Sequence, residues 1–281
     1  MRYAKRTWSS STIVALMFPN VLSIAGSDPS AGAGIQADLK TFAALRCYGM
    51  AVITALTAQN TQGVEAIHLP PPDFIACQID AIFSDVEVAA VKVGMLGSAA
   101  IVEAVAAKLA EHHPPFIVLD PVLAATSGDS LAADDVREAL LRYILPVATV
   151  VTPNFPEAAL LADAELPESP EGMSELGKLL LKSGAKAVLL KGGHLEGPTS
   201  DDLLVQSTSQ RVFSSARIST RNTHGTGCTL SAAIAAYLAY GFDLVESIDA
   251  AKTYLIGAIR YADSLSVGHG HGPLHHFHRL W

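Results

Sequence analysis

The sequence predicts an α/β fold with a mainly parallel β-sheet covered by helices on both faces. Three observations carry this. Runs that are apolar throughout alternate with amphipathic segments of helical period. Strands with no polar face belong to sheets buried on both sides. Gly, Asp, Asn and Pro gather at the ends of the runs, where the chain must turn.

The first run, 21–27, ends in Gly26-Ser27-Asp28 and leads into a helical pattern over 36–45. The second, 51–59, ends in Gln59-Asn60-Thr61 and precedes a helix over 73–83. The third, 89–96, carries Lys92-Val93-Gly94-Met95 and precedes a helix over 99–112. The fourth, 116–122, holds Asp120-Pro121-Val122 and precedes a helix over 133–145. The fifth, 149–153, runs into Thr152-Pro153-Asn154 and two helices, 156–161 and 173–182. The sixth, 187–191, ends in Lys191-Gly192-Gly193-His194. Beyond it, 203–206 and 212–218 read as an antiparallel edge, and helices over 227–240 and 244–263 close the chain. With no repeat or linker, residues 19–281 read as one domain. Residues 1–18 read as a weakly ordered extension: their basic start and short apolar run, broken by Pro19, lack a cleavage site.

Half of the 281 residues are hydrophobic, 16% are charged, and the net charge is −8 with no Lys/Arg-rich run. That supplies a large core and argues against nucleic acid or anionic membranes as partners. No stretch is long enough to span a bilayer. Cys47, Cys77 and Cys228 form no CxxC pair and no metal spacing, which favours a reduced, cytoplasmic setting.

The most informative stretch is Asn222-Thr223-His224-Gly225-Thr226-Gly227-Cys228-Thr229-Leu230. A glycine turn opening a helix aims several backbone N–H groups at one point, at the positive end of the helix dipole. That makes a phosphate cradle. Cys228 in this turn is either a small residue packing a helix start or a thiol whose pKa the helix lowers. In open α/β sheets ligands bind beyond the strands' carboxyl ends. A Lys after two of these strands, with Gln, Asp and Asn after three others, exceeds what turns need.

Gly32-Ala33-Gly34-Ile35-Gln36-Ala37 fits the dinucleotide pattern GxGxxG/A. It stands too far from the strand for the required tight turn, and the second strand lacks the acidic residue that would hold a ribose. Its glycines are better explained by close approach of a small ligand or a neighbouring loop. Asn154 with Glu157 three residues on is a capping box, and its oxygens also suit Mg²⁺ beside a phosphate. The tail, Gly268-His269-Gly270-His271-Gly272-Pro273-Leu274-His275-His276-Phe277-His278, lacks the fixed helical spacing usual in metal-ligand sets.

Taken together, these pieces resemble the hydroxymethylpyrimidine/phosphomethylpyrimidine kinase family of thiamine biosynthesis, within the ribokinase superfamily. The resemblance runs from about Val21 to the C-terminus. It rests on Ile24-Ala25-Gly26-Ser27-Asp28-Pro29-Ser30, Gly32 to Lys40, Thr54 to Thr61, Val93-Gly94-Met95-Leu96, Pro153-Asn154 with Glu157-Ala158, Lys191-Gly192-Gly193-His194, Thr223 to Thr229, and the tail.

It implies a ribokinase-like fold, a central mostly parallel sheet between helices. It implies phosphorylation of 4-amino-5-hydroxymethyl-2-methylpyrimidine by ATP, then of the monophosphate to the diphosphate. By position, Gln59, Gly26, Asp38 and Met95 match the pyrimidine region, and Gly225, Thr226, Gly227 and Cys228 the anion hole. Lys191, with Asn154 and Thr226, falls to ATP, and Asp120 with Glu157 to Mg²⁺. The family also implies a homodimer. Ribokinase-type sugar kinases carry Asp at the position of Cys228, so the cysteine favours the pyrimidine branch. A pyridoxal-type kinase is the nearest rival, a non-catalytic pyrimidine-binding regulator a second, and a nicotinamide oxidoreductase a remote third.

Overall fold

Strand Asn20–Ser27 (β1) is buried from Val21 to Gly26, which is why it carries no polar face. In this computed structural model, which describes residues 18–123, 134–167, 170–194 and 197–281, β1 lies inside a nine-stranded sheet. The expected 1–18 extension falls outside the described residues except for Phe18. The other strands are Tyr48–Asn60 (β2), Gly63–His68 (β3), Ala90–Val93 (β4), Ile117–Leu119 (β5), Val150–Val151 (β6), Ala187–Leu190 (β7), Asp202–Gln206 (β8) and Gln210–Phe213 (β9). Their order is β3-β2-β1-β4-β5-β6-β7-β8-β9. Strands β2 to β7 pair in parallel, while β3 on one edge and β8 and β9 on the other are antiparallel.

From β1 the chain goes first to β2 on one side and later to β4 on the other. That reversal opens a crevice beyond the carboxyl ends of β1 and β4, the usual place for a ligand in such sheets.

Among the described residues, eight α-helices cover the sheet: Gly34–Ala44 (α1), Pro72–Phe83 (α2), Ala99–His112 (α3), Asp134–Ala139 (α4), Phe155–Ala162 (α5), Pro170–Lys182 (α6), Thr226–Ala239 (α7) and Leu244–Arg260 (α8). The helix expected over 133–145 is α4 followed by a π-helical turn, Leu140–Ile144. Alternation along each strand assigns side chains to faces. Val188 and Leu190 pack with Ile75, Ile101 and Leu180 beneath α2 to α6. Ala187 and Leu189 pack with Phe42, Ile234 and Ile248 beneath α1, α7 and α8. The same alternation turns Lys92, two residues after Ala90, toward the α1 and α7 side. From Leu230 to Ala236 helix α7 is buried all round, and its small Ser and Ala side chains suit close packing on the sheet.

The structure differs from the sequence pattern at both sheet edges. The edge hairpin strand β3 carries no signal in the sequence. Its residues Glu65, Ala66, Ile67 and His68 are exposed, so it lacks the apolar run that marked the interior strands. The second antiparallel run, expected over 212–218, stands at Gln210–Phe213, with one further bridge from Ala216 to Thr199.

Helix α8 begins with a capping box: Asp243 accepts from the Glu246 amide at 2.8 Å, and Glu246 accepts from the Asp243 amide at 3.3 Å. Both side chains are exposed, so this box has only a structural task. Asp243→Ala is expected to lower the free energy of unfolding by about 1 kcal/mol, read from urea denaturation, with activity per folded molecule unchanged.

Candidate active site

The loop leaving β1 is built around Asp28. Its Oδ1 accepts from the Ser30 amide (2.8 Å) and hydroxyl (2.7 Å), and its Oδ2 from the amides of Gly32 (3.1 Å) and Ala33 (2.8 Å). His224 Nε2 reaches the same Oδ2 at 2.9 Å from the turn before α7. Burial works to raise this carboxyl, but hydrogen bonds from His224, Ser30 and Ala33 outweigh it and hold it below the ordinary carboxylate range. The loop and the turn touch directly. Gly225 has φ +83°, and a Cβ there would collide with the Gly32 carbonyl. Of the glycines in the rejected dinucleotide pattern, Gly32 serves this approach, since a Cβ there would meet the His224 ring, while Gly34 lies against the Gly26 carbonyl.

Helix α7 opens at Gly225 with no side-chain cap, so its first amides lack intrahelical acceptors and its positive end stands open. Opposite this mouth lies a charged group from three other strand ends. Lys191 Nζ meets Asp120 Oδ1 at 2.7 Å and Glu157 Oε2 at 3.9 Å. A Cβ added to Gly227 would stand 3.1 Å from Lys191 Nζ and 3.4 Å from Asp120 Oδ2, so the glycine leaves the cradle open toward them. Thr152 Oγ1 (3.2 Å) and Ser231 Oγ (3.3 Å) also donate to Asp120. Although burial raises it, Asp120 is held below the usual carboxylate range by Lys191 and Lys92.

Asn154 and Glu157 do form the capping box of α5, at 2.8 and 2.9 Å. Unlike Glu246 in the matching box of α8, Glu157 is only 7% exposed. Burial lifts its carboxyl to about 7 despite Lys191. A cap alone requires no such burial. Two converging buried carboxylates, one of them short of positive charge, fit the oxygen ligands Mg²⁺ prefers.

Beneath the mouth of α7, Lys92 and Asp38 form an ion pair at 2.8 Å with both side chains fully buried. Ser23 donates to the same Asp38 Oδ2 at 2.6 Å, and Oδ1 has no partner. Asp38, expected in the pyrimidine region, lies fully buried with its carboxylate paired to Lys92. Of the two readings open for Cys228, the lowered thiol pKa is the one its surroundings oppose. Burial pushes this thiol up to about 11, with Lys92 opposing, so the neutral form prevails near pH 7.

The remaining pyrimidine candidates come together at the ends of β1, β2 and β4. Met95 Sδ would lie 3.3 Å from a Cβ on Gly26. Thr57 Oγ1 stands 3.0 Å from both the Ser27 carbonyl and Gln59 Oε1. Gln59 Nε2 is 3.4 Å from His224 Nε2. That ring nitrogen can carry one proton, which Asp28 accepts, so the amide contact is no hydrogen bond and Gln59 keeps its donors for a ligand. Thr226 is half-buried in the first turn of α7. The sequence assigns Lys92 and His224 no individual role. Signals for both were present, a lysine inside an apolar strand and a histidine next to the glycine turn, but neither names its partner.

A family model described as phosphomethylpyrimidine kinase matches residues 28–275. The chain belongs to this family. It is a kinase, a phosphotransferase. It is 51% identical over 262 residues to the hydroxymethylpyrimidine/phosphomethylpyrimidine kinase of Salmonella typhimurium, covering 93% of this chain and 98% of that one. Among solved structures, the phosphomethylpyrimidine kinase of Clostridium difficile superposes with a TM-score of 0.77 at 41% identity, covering 86% of this chain and 99% of that one. A pyridoxal kinase from Staphylococcus aureus, in complex with AMP-PCP and pyridoxal, superposes with a TM-score of 0.84 at 33% identity, covering 93% and 94%. The ribokinase-like fold expected from the sequence is that of these neighbours. Among the described residues, no helix is long and apolar enough to cross a membrane.

Helix α7 is also held from the tail, where Thr229 Oγ1 shares a 3.0 Å hydrogen bond with His276 Nε2. Burial pushes this imidazole down to about 3, with Lys40 and His275 adding to the effect. In the unfolded chain it takes up a proton below about pH 6.5. The unfolded state then binds the extra proton, so this group's stability is complete above about pH 6.5 and is lost as pH falls toward its folded value. His276→Gln, which can still bond Thr229, is expected to show a shallower fall in urea midpoint between about pH 6.5 and 5 than the wild type.

Proposed function

We propose that this kinase uses ATP to phosphorylate 4-amino-5-hydroxymethyl-2-methylpyrimidine and then its monophosphate, yielding the diphosphate for thiamine biosynthesis. The observation that carries the reading is the placement of the open mouth of α7 between two groups. Lys191, Asp120 and Glu157 lie on one side; Gln59, with His224 and Asp28 behind it, lies on the other. A flat ring recognised at Gln59 would present its hydroxymethyl group toward the anion cradle.

Phosphoryl transfer passes through a loose transition state with charge on the equatorial oxygens, so positioning and electrostatics supply most of the acceleration. The amides of Gly227 and Cys228, with the helix dipole, stabilise that charge. Lys191 adds a cation fixed by Asp120. Asn154 and Thr226 border the nucleotide's phosphates. Asp120 and Glu157 would hold Mg²⁺, often through water, and the ion would neutralise charge on the phosphates. Gln59 both donates and accepts, which matches an aminopyrimidine edge. Met95 and Gly26 shape the apolar wall of the pocket.

Product analysis with ATP, Mg²⁺ and the hydroxymethylpyrimidine tests the assignment; appearance of both mono- and diphosphate is expected. Pyridoxal kinase activity is the second reading, favoured by the likeness to the Staphylococcus aureus enzyme. Preferential turnover of pyridoxal in a mixed-substrate assay would establish it instead.

Gln59→Leu is expected to raise KM for the hydroxymethylpyrimidine about tenfold, the scale of one or two lost hydrogen bonds, with KM for ATP unchanged. Cys228 separates cradle from base. A thiol neutral near pH 7 cannot receive the proton of the substrate hydroxyl, which only the first step releases; the second step's phosphate is already largely anionic. Cys228→Ala is therefore expected to lower kcat of both steps by similar factors in single-turnover assays. A loss confined to the first step would restore Cys228 as a base.

A further inference from the structure

The glycine- and histidine-rich tail has no part in the phosphoryl-transfer scheme, yet it runs along the border between the two halves of the site. One end is fixed to the last two helices: the His275 amide donates to Ala258 O at 3.1 Å, Tyr254 Oη donates to His276 O at 2.7 Å, and His276 bonds Thr229. Its middle lies beside the cradle turn, where the His224 amide donates to Gly272 O at 3.1 Å and His224 bridges Pro273. Its far end closes on Thr61, two residues past Gln59. The Thr61 hydroxyl accepts from the Gly270 amide at 3.1 Å, and its carbonyl accepts from the His271 amide at 2.9 Å. A Cβ on Gly268, where φ is +68°, or on Gly270 would run into Thr61.

Thr61 and Gln62 form the turn between β2 and β3. This hairpin is poorly held from its own side. Most of β3 is exposed, and the β2–β3 register shifts between Ala58 and Gln59. An edge hairpin with a bulge beside the recognition residue has little intrinsic rigidity. Misplacement of a substrate-positioning group by about 1 Å can cost a hundredfold in rate.

We propose that Thr61 is a positioning residue for pyrimidine recognition, clamped by tail residues 268–271 so that Gln59 keeps a fixed place relative to the mouth of α7. The proposal rests on the reading that Gln59 binds the pyrimidine.

Four variants of the full chain test it: Thr61→Val, Thr61→Ser, Gln59→Leu, and the double variant of Thr61→Val with Gln59→Leu. Thr61→Val is expected to raise KM for the hydroxymethylpyrimidine about fivefold, the scale of one hydrogen bond, while KM for ATP stays at the wild-type value. Thr61→Ser, which retains the hydroxyl, is expected to restore the wild-type constant. Thr61→Val added to Gln59→Leu is expected to cause no further rise, because the clamp acts through Gln59. A structural role alone would change both KM values together, or track a fall in melting temperature, or add the same factor in both backgrounds; any of these overturns the proposal. If Gln59→Leu leaves the pyrimidine KM unchanged, the recognition reading falls and takes the clamp with it. If Gln59→Leu raises it and Thr61→Val does not, only the clamp falls.

Discussion

The site depends on one steric constraint, the contact of Gly225 with Gly32. Neither the loop leaving β1 nor the turn entering α7 could take its present path if a side chain stood between them. The contact is needed because the two segments carry complementary halves of the chemistry. One follows the strand end that faces the pyrimidine region; the other presents the uncapped helix. Asp28 and His224 then join them with a buried hydrogen bond. Backbone proximity comes first, and the polar network fixes it.

Among the described residues, three largely buried Lys–Asp pairs stand out, Lys92 with Asp38 and Lys191 with Asp120 near the mouth of α7 and Lys252 with Asp202 at β8. Such pairs are poor sources of stability, because desolvation cancels most of their attraction. Their value here is a fixed charge distribution. Asp202 accepts from the Gly192 amide at 2.9 Å while Lys252 neutralises it, so the backbone next to Lys191 is held from the far edge of the sheet. Lys92 lies below Cys228 without making it a thiolate.

Much of the fold was legible in the sequence because its inner strands are buried on both faces, and an all-apolar run ended by polar residues needs no partner to be recognised. Strand β3 was not legible, since an exposed edge carries no such pattern. The cradle was legible from Gly225, Gly227 and the helix behind them, which are local. The pairing of Asp38 with Lys92 was not, for the residues belong to different elements and the alternation of β4 alone decides which face Lys92 takes. Depth likewise decided Cys228. Sequence shows that a thiol sits at a helix start, which would lower its pKa, but not that its surroundings push the pKa up. For Asn154 and Glu157, spacing gave the cap, and only the depth of Glu157 separates it from the solvent-facing box of α8.

The bond between Thr229 and His276 has a consequence for how the protein is made. A chain emerging from the ribosome has every group of the phosphate cradle outside once α7 has appeared. His276, which fixes α7 from behind, and Tyr254, which holds His276, emerge after it. Nascent chains halted before the tail would therefore display the chemical groups without their final geometry. Activity should arise in step with the tail segment, 268–278, rather than with the catalytic residues themselves.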